Sequence, residues 1–175
     1  MANDSLNYFK DLLQSGQVSI LLICLAVYCV TYMRRDSFVL TLTLALLLNM
    51  IHFGFEYFCV EFLFGVEEYK DLTIHLWYSF FSLTDFAFVA VAIYAHDRLM
   101  IRTSQISRYI MAGFIILGLC QVLRYLDRTV LSTKYFSDAY SLMVPTIDTS
   151  ITLVVAAYTI FAIVIKLRKG VNSND

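Results

Sequence analysis

Residues 37–64 read SFVLTLTLALLLNMIHFGFEYFCVEFLF, and the reading of this stretch decides the fold. Its first half carries no ionisable side chain and is dominated by leucine, valine, phenylalanine and alanine. As a helix rising 1.5 Å per residue it would be about 42 Å long, more than the ~30 Å hydrocarbon core of a bilayer. A single strand of this length would be several times longer than usual, and a membrane barrel would instead show short alternating segments. The stretch therefore predicts a membrane-crossing helix.

Four further apolar blocks lie around it, at about 18–33, 72–95, 108–126 and 139–165. Arg34-Arg35-Asp36, the acidic loop 66–71, the polar stretch 96–107, the loop 127–138 and Lys166-Leu167-Arg168-Lys169 separate or end them. Ahead of the first block, Asp4 and Ser5 suit a helix start, and Leu6, Phe9 and Leu13 share a face. Residues 1–17 thus predict a short amphipathic helix on the membrane surface, closed by Gly16. The expected fold is all-α, a polytopic integral membrane helix bundle of about five transmembrane helices. The whole chain, 1–175, forms one membrane domain, with 166–175 as a polar tail.

Composition agrees. The chain of 175 residues is 59% apolar and only 15% charged, whereas soluble domains run at about 45–50% apolar and ~25% charged. A formal net charge of −1 provides no basic field for nucleic acid. Cys24, Cys29, Cys59 and Cys120 are scattered through apolar segments without a CxxC pair or zinc-like spacing, so they are expected to be buried thiols. The first apolar block lacks the basic flank and cleavage site of a signal peptide and is expected to remain as a helix.

Cytoplasmic loops retain an excess of positive charge. Arg34, Arg35, Arg98, Arg102, Arg108, Lys166, Arg168 and Lys169 sort to one side. Lys10, Lys70, Arg124, Arg128 and Lys134 sort to the other, together with Glu67, Glu68, Asp71 and Asp138. The first side is expected to be cytoplasmic, which places the N-terminus outside and the C-terminus inside, most simply in the plasma (cell inner) membrane.

An ionisable group at the centre of a bilayer costs about 2.5–3.5 kcal/mol on insertion scales, so it is expected to face protein or water. Four spans carry polar residues on single stripes when turned at 100° per residue. Thr41, Ala45, Asn49, His52, Glu56 and Cys59 share one face, and His75, Tyr78, Ser82, Asp85 and His96 another. Gly113, Leu117, Gln121, Arg124 and Arg128 form the third stripe, and Ser141, Pro145, Asp148, Thr152 and Thr159 the fourth. By depth, His52 and Asp85 fall near the midplane, with Glu56, Gln121 and Asp148 roughly 7 Å further out and Arg124 beyond them.

The candidate ion- or substrate-binding residues are accordingly His52, Glu56, Asp85, Gln121, Arg124 and Asp148. The simplest pairing sets Arg124 against Glu56 or Asp148, because Arg binds a carboxylate through two parallel hydrogen bonds. His52 with Asp85 forms a second pair. Three carboxylates against one Arg leave an acidic excess.

Two readings stay open. In one, the acids form a cation or proton path with His52 as a switchable relay, and the chain is a transport, channel or ion/proton-coupled component. In the other, they are a satisfied network that fixes helix order. The chain is then a non-catalytic partner subunit: an immunity, sensor-input or assembly protein. The bilayer is the first partner, and copies of the chain or another membrane protein are candidate second ones, through the first span.

Pro145 either frees carbonyls beside Asp148 or sits harmlessly in the first turns of its helix. His52, His75 and His96 lie at three levels, which disfavours haem, and no cofactor is called for. A metal held by His52, Glu56 and Asp148 is a minor alternative. Nothing matches a nucleophile elbow, a phosphate-binding loop or HExxH, so an enzyme is the least favoured class.

Overall fold

The computed structural model describes residues 2–32, 36–63 and 66–171. The side chains of Leu6, Phe9 and Leu13, the basic pair Arg34 and Arg35, and the tail 172–175 lie outside that description. Among the described residues there are five long helices and no strand: α1 (Ala2–Tyr32), α2 (Ser37–Phe58), α3 (Lys70–Arg98), α4 (Gln105–Tyr125) and α5 (Ser137–Val171). The protein is an all-helical membrane bundle. Ser37–Leu63, Asp71–Arg98, Gln105–Val130 and Ser137–Arg168 are each long and apolar enough to cross a membrane, and Gly16–Tyr32 is a shorter apolar segment.

Two boundaries differ from the sequence reading. Gly16 does not end a surface helix, because α1 runs through it without a break. A glycine inside a helix costs about 1 kcal/mol relative to alanine, yet it keeps its backbone hydrogen bonds. Helical sequence on both sides therefore carries the helix across it. Most other expected starts and stops lie within a few residues of the observed ones, but α5 runs through the expected stop at 166–169 to Val171. Asp36, read as the end of the first span, is the N-cap of α2, where its carboxylate accepts from the Val39 amide at 3.1 Å and from Tyr28 Oη at 2.7 Å. Ser104 caps α4 by accepting from the Ser107 amide.

The helices pack as a closed circuit. Each meets its chain neighbours, α1 also packs on α5, and α2 reaches across to α4. The core is densest at the end where α1 finishes and α2 begins, called here the basic end because Arg98, Arg102 and Arg108 stand there. Phe38, Leu42, Ile110 and Val155 are buried in it. The Phe38 ring lies 4.7 Å from Tyr28 and 4.8 Å from Tyr158, closing the bundle with aromatic carbon.

A polar knot lies beside this plug. The His96 ring bonds the Ala92 carbonyl through Nδ1 at 2.7 Å and Ser37 Oγ through Nε2 at 2.8 Å. A carbonyl only accepts, so Nδ1 carries the proton, and a neutral ring then accepts from Ser37 at Nε2. Ser37 Oγ also accepts from the Ser104 amide at 2.9 Å and meets Ser107 Oγ at 2.7 Å. Three helices are thereby joined through side chains that water scarcely reaches.

Candidate functional site

The inward stripes of all five helices enclose one cavity of about 520 Å³. Along α2 it extends from Leu42 to Glu56, about 21 Å at 1.5 Å per residue. Near the plug its walls are apolar, including Ile110, Phe114 and Ile151. Towards the opposite end they carry Gln17, Asn49, His52, Glu56, Gln121 and Tyr140, with Asp85 and Asp148 between. Five of the six residues singled out in the sequence, His52, Glu56, Asp85, Gln121 and Asp148, line this one space. The 3.6-residue period carried that information, since a stripe that cannot face lipid must face the interior.

Arg124 is the exception. It does not line the cavity and binds neither Glu56 nor Asp148 as expected. Its guanidinium donates to Asp127 Oδ2 at 2.6 Å and to Ser137 Oγ at 3.0 Å. The chain widens into a π-helical turn over Leu126–Val130 at this point, which folds Asp127 inward, where it is 5% exposed. Asp127 also accepts from Thr133 Oγ1 and from the Phe136 amide at 3.2 Å. An acid three residues along the helix is a nearer partner than one across the bundle. Asp127, which the sequence places in the loop 127–138, is the hub that ties α4 to the start of α5.

The second expected pair is present but loose. His52 Nε2 stands 3.9 Å from Asp85 Oδ1, beyond hydrogen-bond reach. Its short contact is with Thr84 Oγ1 at 2.7 Å. Thr84 gives its one proton to backbone carbonyls of the preceding turn, to Phe80 at 2.7 Å, so His52 Nε2 is the donor to Thr84. Phe81 and Phe80 flank the imidazole. Asp85 itself is 2% exposed, and its Cβ lies against Gly118, where an added methyl group would come within 3.3 Å. A larger residue at 118 would press first on the Phe86 ring, at 3.0 Å, and next on the acid.

The rest of the rim is ordered by hydrogen bonds. Tyr140 Oη donates to Gln121 Oε1 at 2.8 Å, and Trp77 also bonds this hydroxyl, so three helices meet there. Gln17 Nε2 donates to Thr149 Oγ1 at 3.0 Å, which fastens α1 to α5. On α5 the expected stripe holds only in part. Asp148 and Thr152 line the cavity, while Ser141 and Pro145 are exposed on the outer surface. Pro145 lies inside α5, past its first turn, and Tyr140 and Val144 take the inward positions instead. At the end of α3 away from the basic end, His75 is exposed and bonds Tyr125 Oη at 3.0 Å.

Glu56, Asp85 and Asp148 thus share one enclosure, and among the described residues no Lys or Arg lines it. Nor, among those residues, do three His, Cys, Asp or Glu side chains converge as a metal-ligand set. The fold and the cavity together define a class: a small helical membrane bundle with an acidic, aromatic-walled interior. No protein-family model matches the chain, and no curated protein or solved structure matches it either.

Proposed function

We propose that the chain is a small transport, channel or ion/proton-coupled membrane component whose interior cavity takes a cation. The observation that supports this most is the cavity itself, with three carboxylates from α2, α3 and α5 and no basic lining residue among those described. Asp85, 2% exposed, is held away from bulk water and calls for a proton or a cation beside it. To serve as a relay, His52 would turn its Nε2–H from Thr84 to the central acid Asp85, 3.9 Å away. The aromatic plug of Tyr28, Phe38 and Tyr158 favours access from one end only, the end opposite the basic residues.

On this reading the protein sits in the plasma (cell inner) membrane. The basic end is cytoplasmic, with Arg98, Arg102, Arg108, Lys166 and Arg168 towards it. The N-terminus is outside, and the cavity accepts its ligand from outside.

The second reading, a non-catalytic partner subunit, draws on a different observation. The His96 knot and the Arg124–Asp127 pair are polar groups spent wholly on holding helices together. Liposomes carrying the purified chain and an internal pH dye separate the two readings, with a potassium gradient and valinomycin setting the potential. Proton flux above that of empty liposomes, lost in Asp85→Asn and Asp148→Asn while both variants keep their thermal stability, supports transport. Flux equal to that of empty liposomes for the wild-type chain sinks it.

A further inference from the structure

We propose that the ligand of this cavity is a monovalent organic cation with an apolar body, admitted through the side of the bundle at α2. The inference rests on the reading above that the acidic cavity is a binding site, and it adds the ligand's class and route. Size comes first. A space of about 520 Å³ falls within the ~300–1,000 Å³ typical of small-molecule sites, and a bare ion would leave nearly all of it empty. Chemistry of the walls comes next. Phe81, Trp77 and Tyr140 present aromatic surface alongside the carboxylates, and ring faces attract organic cations through their quadrupole. Tyr140 is held by its bond to Gln121 and Trp77 by its bond to the Tyr140 hydroxyl, so their rings are preorganised. The remaining lining is largely aliphatic, which suits a carbon body and wastes nothing on a hydrated metal ion.

The acids add direction. Asp85 is 2% exposed, borders the cavity and has no hydrogen bond to its carboxylate among the described residues, with His52 at 3.9 Å. A buried carboxylate in that position is a counter-charge awaiting a cation. Anionic ligands meet three acidic side chains and no basic lining residue among those described. Divalent metals would need oxygen ligands converging at about 2.0–2.6 Å, and no such set is assembled among the described residues.

The route follows from two lining residues. Met50 and Phe53 are each 69% exposed on the outer face of α2, yet both border the cavity. On α1, half-buried Gln17 and Val18 border the same space. Among the described residues, the wall between α1 and α2 is thus open at this level, on the lipid-facing side of the bundle. An amphiphilic cation concentrates in the membrane interface before it binds, so a lateral opening meets it where it is most abundant.

Equilibrium binding of radiolabelled tetraphenylphosphonium to the purified full chain in lipid nanodiscs tests this. Saturable binding is expected, weakened about tenfold or more in the Asp85→Asn/Asp148→Asn double variant. Ala45→Phe, which fills the cavity without altering its charge, is expected to weaken it comparably and covers the case of a misfolded double variant. Tetraphenylborate, of the same shape and opposite charge, should fail to compete. The absence of saturable binding would overturn the proposal. So would affinity within about twofold of wild type in folded samples of both variants, or equal competition by the borate. Binding without proton flux would keep the ligand class and remove the coupled-transport reading. Proton flux without tetraphenylphosphonium binding would do the reverse.

Discussion

Two buried polar regions of this bundle are made from similar residues and are organised in opposite ways. At the basic end, His96 has both ring nitrogens bonded, and Ser37 serves the ring, the Ser104 amide and Ser107 together. In the central cavity, His52 reaches only Thr84 at short range, and Asp85 stands 3.9 Å from it. The first region fills its space with mutual hydrogen bonds. The second surrounds about 520 Å³ with acids and aromatic rings. Saturated polar groups act as fasteners, because each removed partner strands another in a dry interior. Unsaturated ones bordering a void are available to something that enters. The difference between staple and site is therefore one of satisfaction, not of depth or residue type.

The largest effects should come from treating the cavity as a site. Asp85→Asn and Asp148→Asn are expected to cut proton flux in liposomes by about tenfold or more, while thermal unfolding in detergent moves little. A large loss of stability with flux intact in either variant would erase the distinction between the regions.

The opposite pattern is expected at the knot. His96→Ala should destabilise the bundle by about 1–3 kcal/mol, since it takes from the Ser37 hydroxyl its ring acceptor and leaves the ring's buried space unfilled. Denaturant or thermal unfolding measures this, and His96→Gln should recover part of the loss by restoring one of the hydrogen bonds. Arg124→Ala tests the third polar cluster. It leaves Asp127 with fewer donors and loosens the α4–α5 turn, for an expected loss of about 1–3 kcal/mol, and flux through the remaining folded protein should be unchanged. Flux that falls with Arg124 alone would return this residue to the cavity, where sequence reasoning first put it.

The smallest change is expected at the rim. Tyr140→Phe removes the bond to Gln121 and should cost about 0.6 kcal/mol, the average for hydrogen bonds between membrane helices. Its more telling readout is affinity for an organic cation, which should fall only slightly because the ring remains.

Much of this was legible in advance. The long apolar runs gave the helices, because a bilayer tolerates no other use of them. The 100° repeat set His52, Glu56, Asp85, Gln121 and Asp148 on inward faces, and the structure gathers all five around one cavity. Arg124 was misjudged because helix periodicity assumes an unbroken α-helix, whereas a π-helical turn at Leu126–Val130 brings Asp127 under it. His96 stood on the expected stripe of α3, yet its role could not be read there. Its side-chain partner Ser37 comes from the start of α2, and Ser37 in turn binds the Ser104 amide at the start of α4, both far away in the chain. Pro145 and Ser141 turned outward for a related reason. Packing on α4 and α1 chose Tyr140 and Val144 as the inward pair at that end of α5.

By itself the sequence determined the class of protein, its long apolar helices and most of the residues that turn inward from α2, α3 and α4, because these depend on local transfer energies summed along the chain. Tertiary structure alone decided which polar groups meet, which are satisfied and which border empty space. Those outcomes turn on differences of an ångström or two between side chains on separate helices, and no pattern within a single helix carries that information.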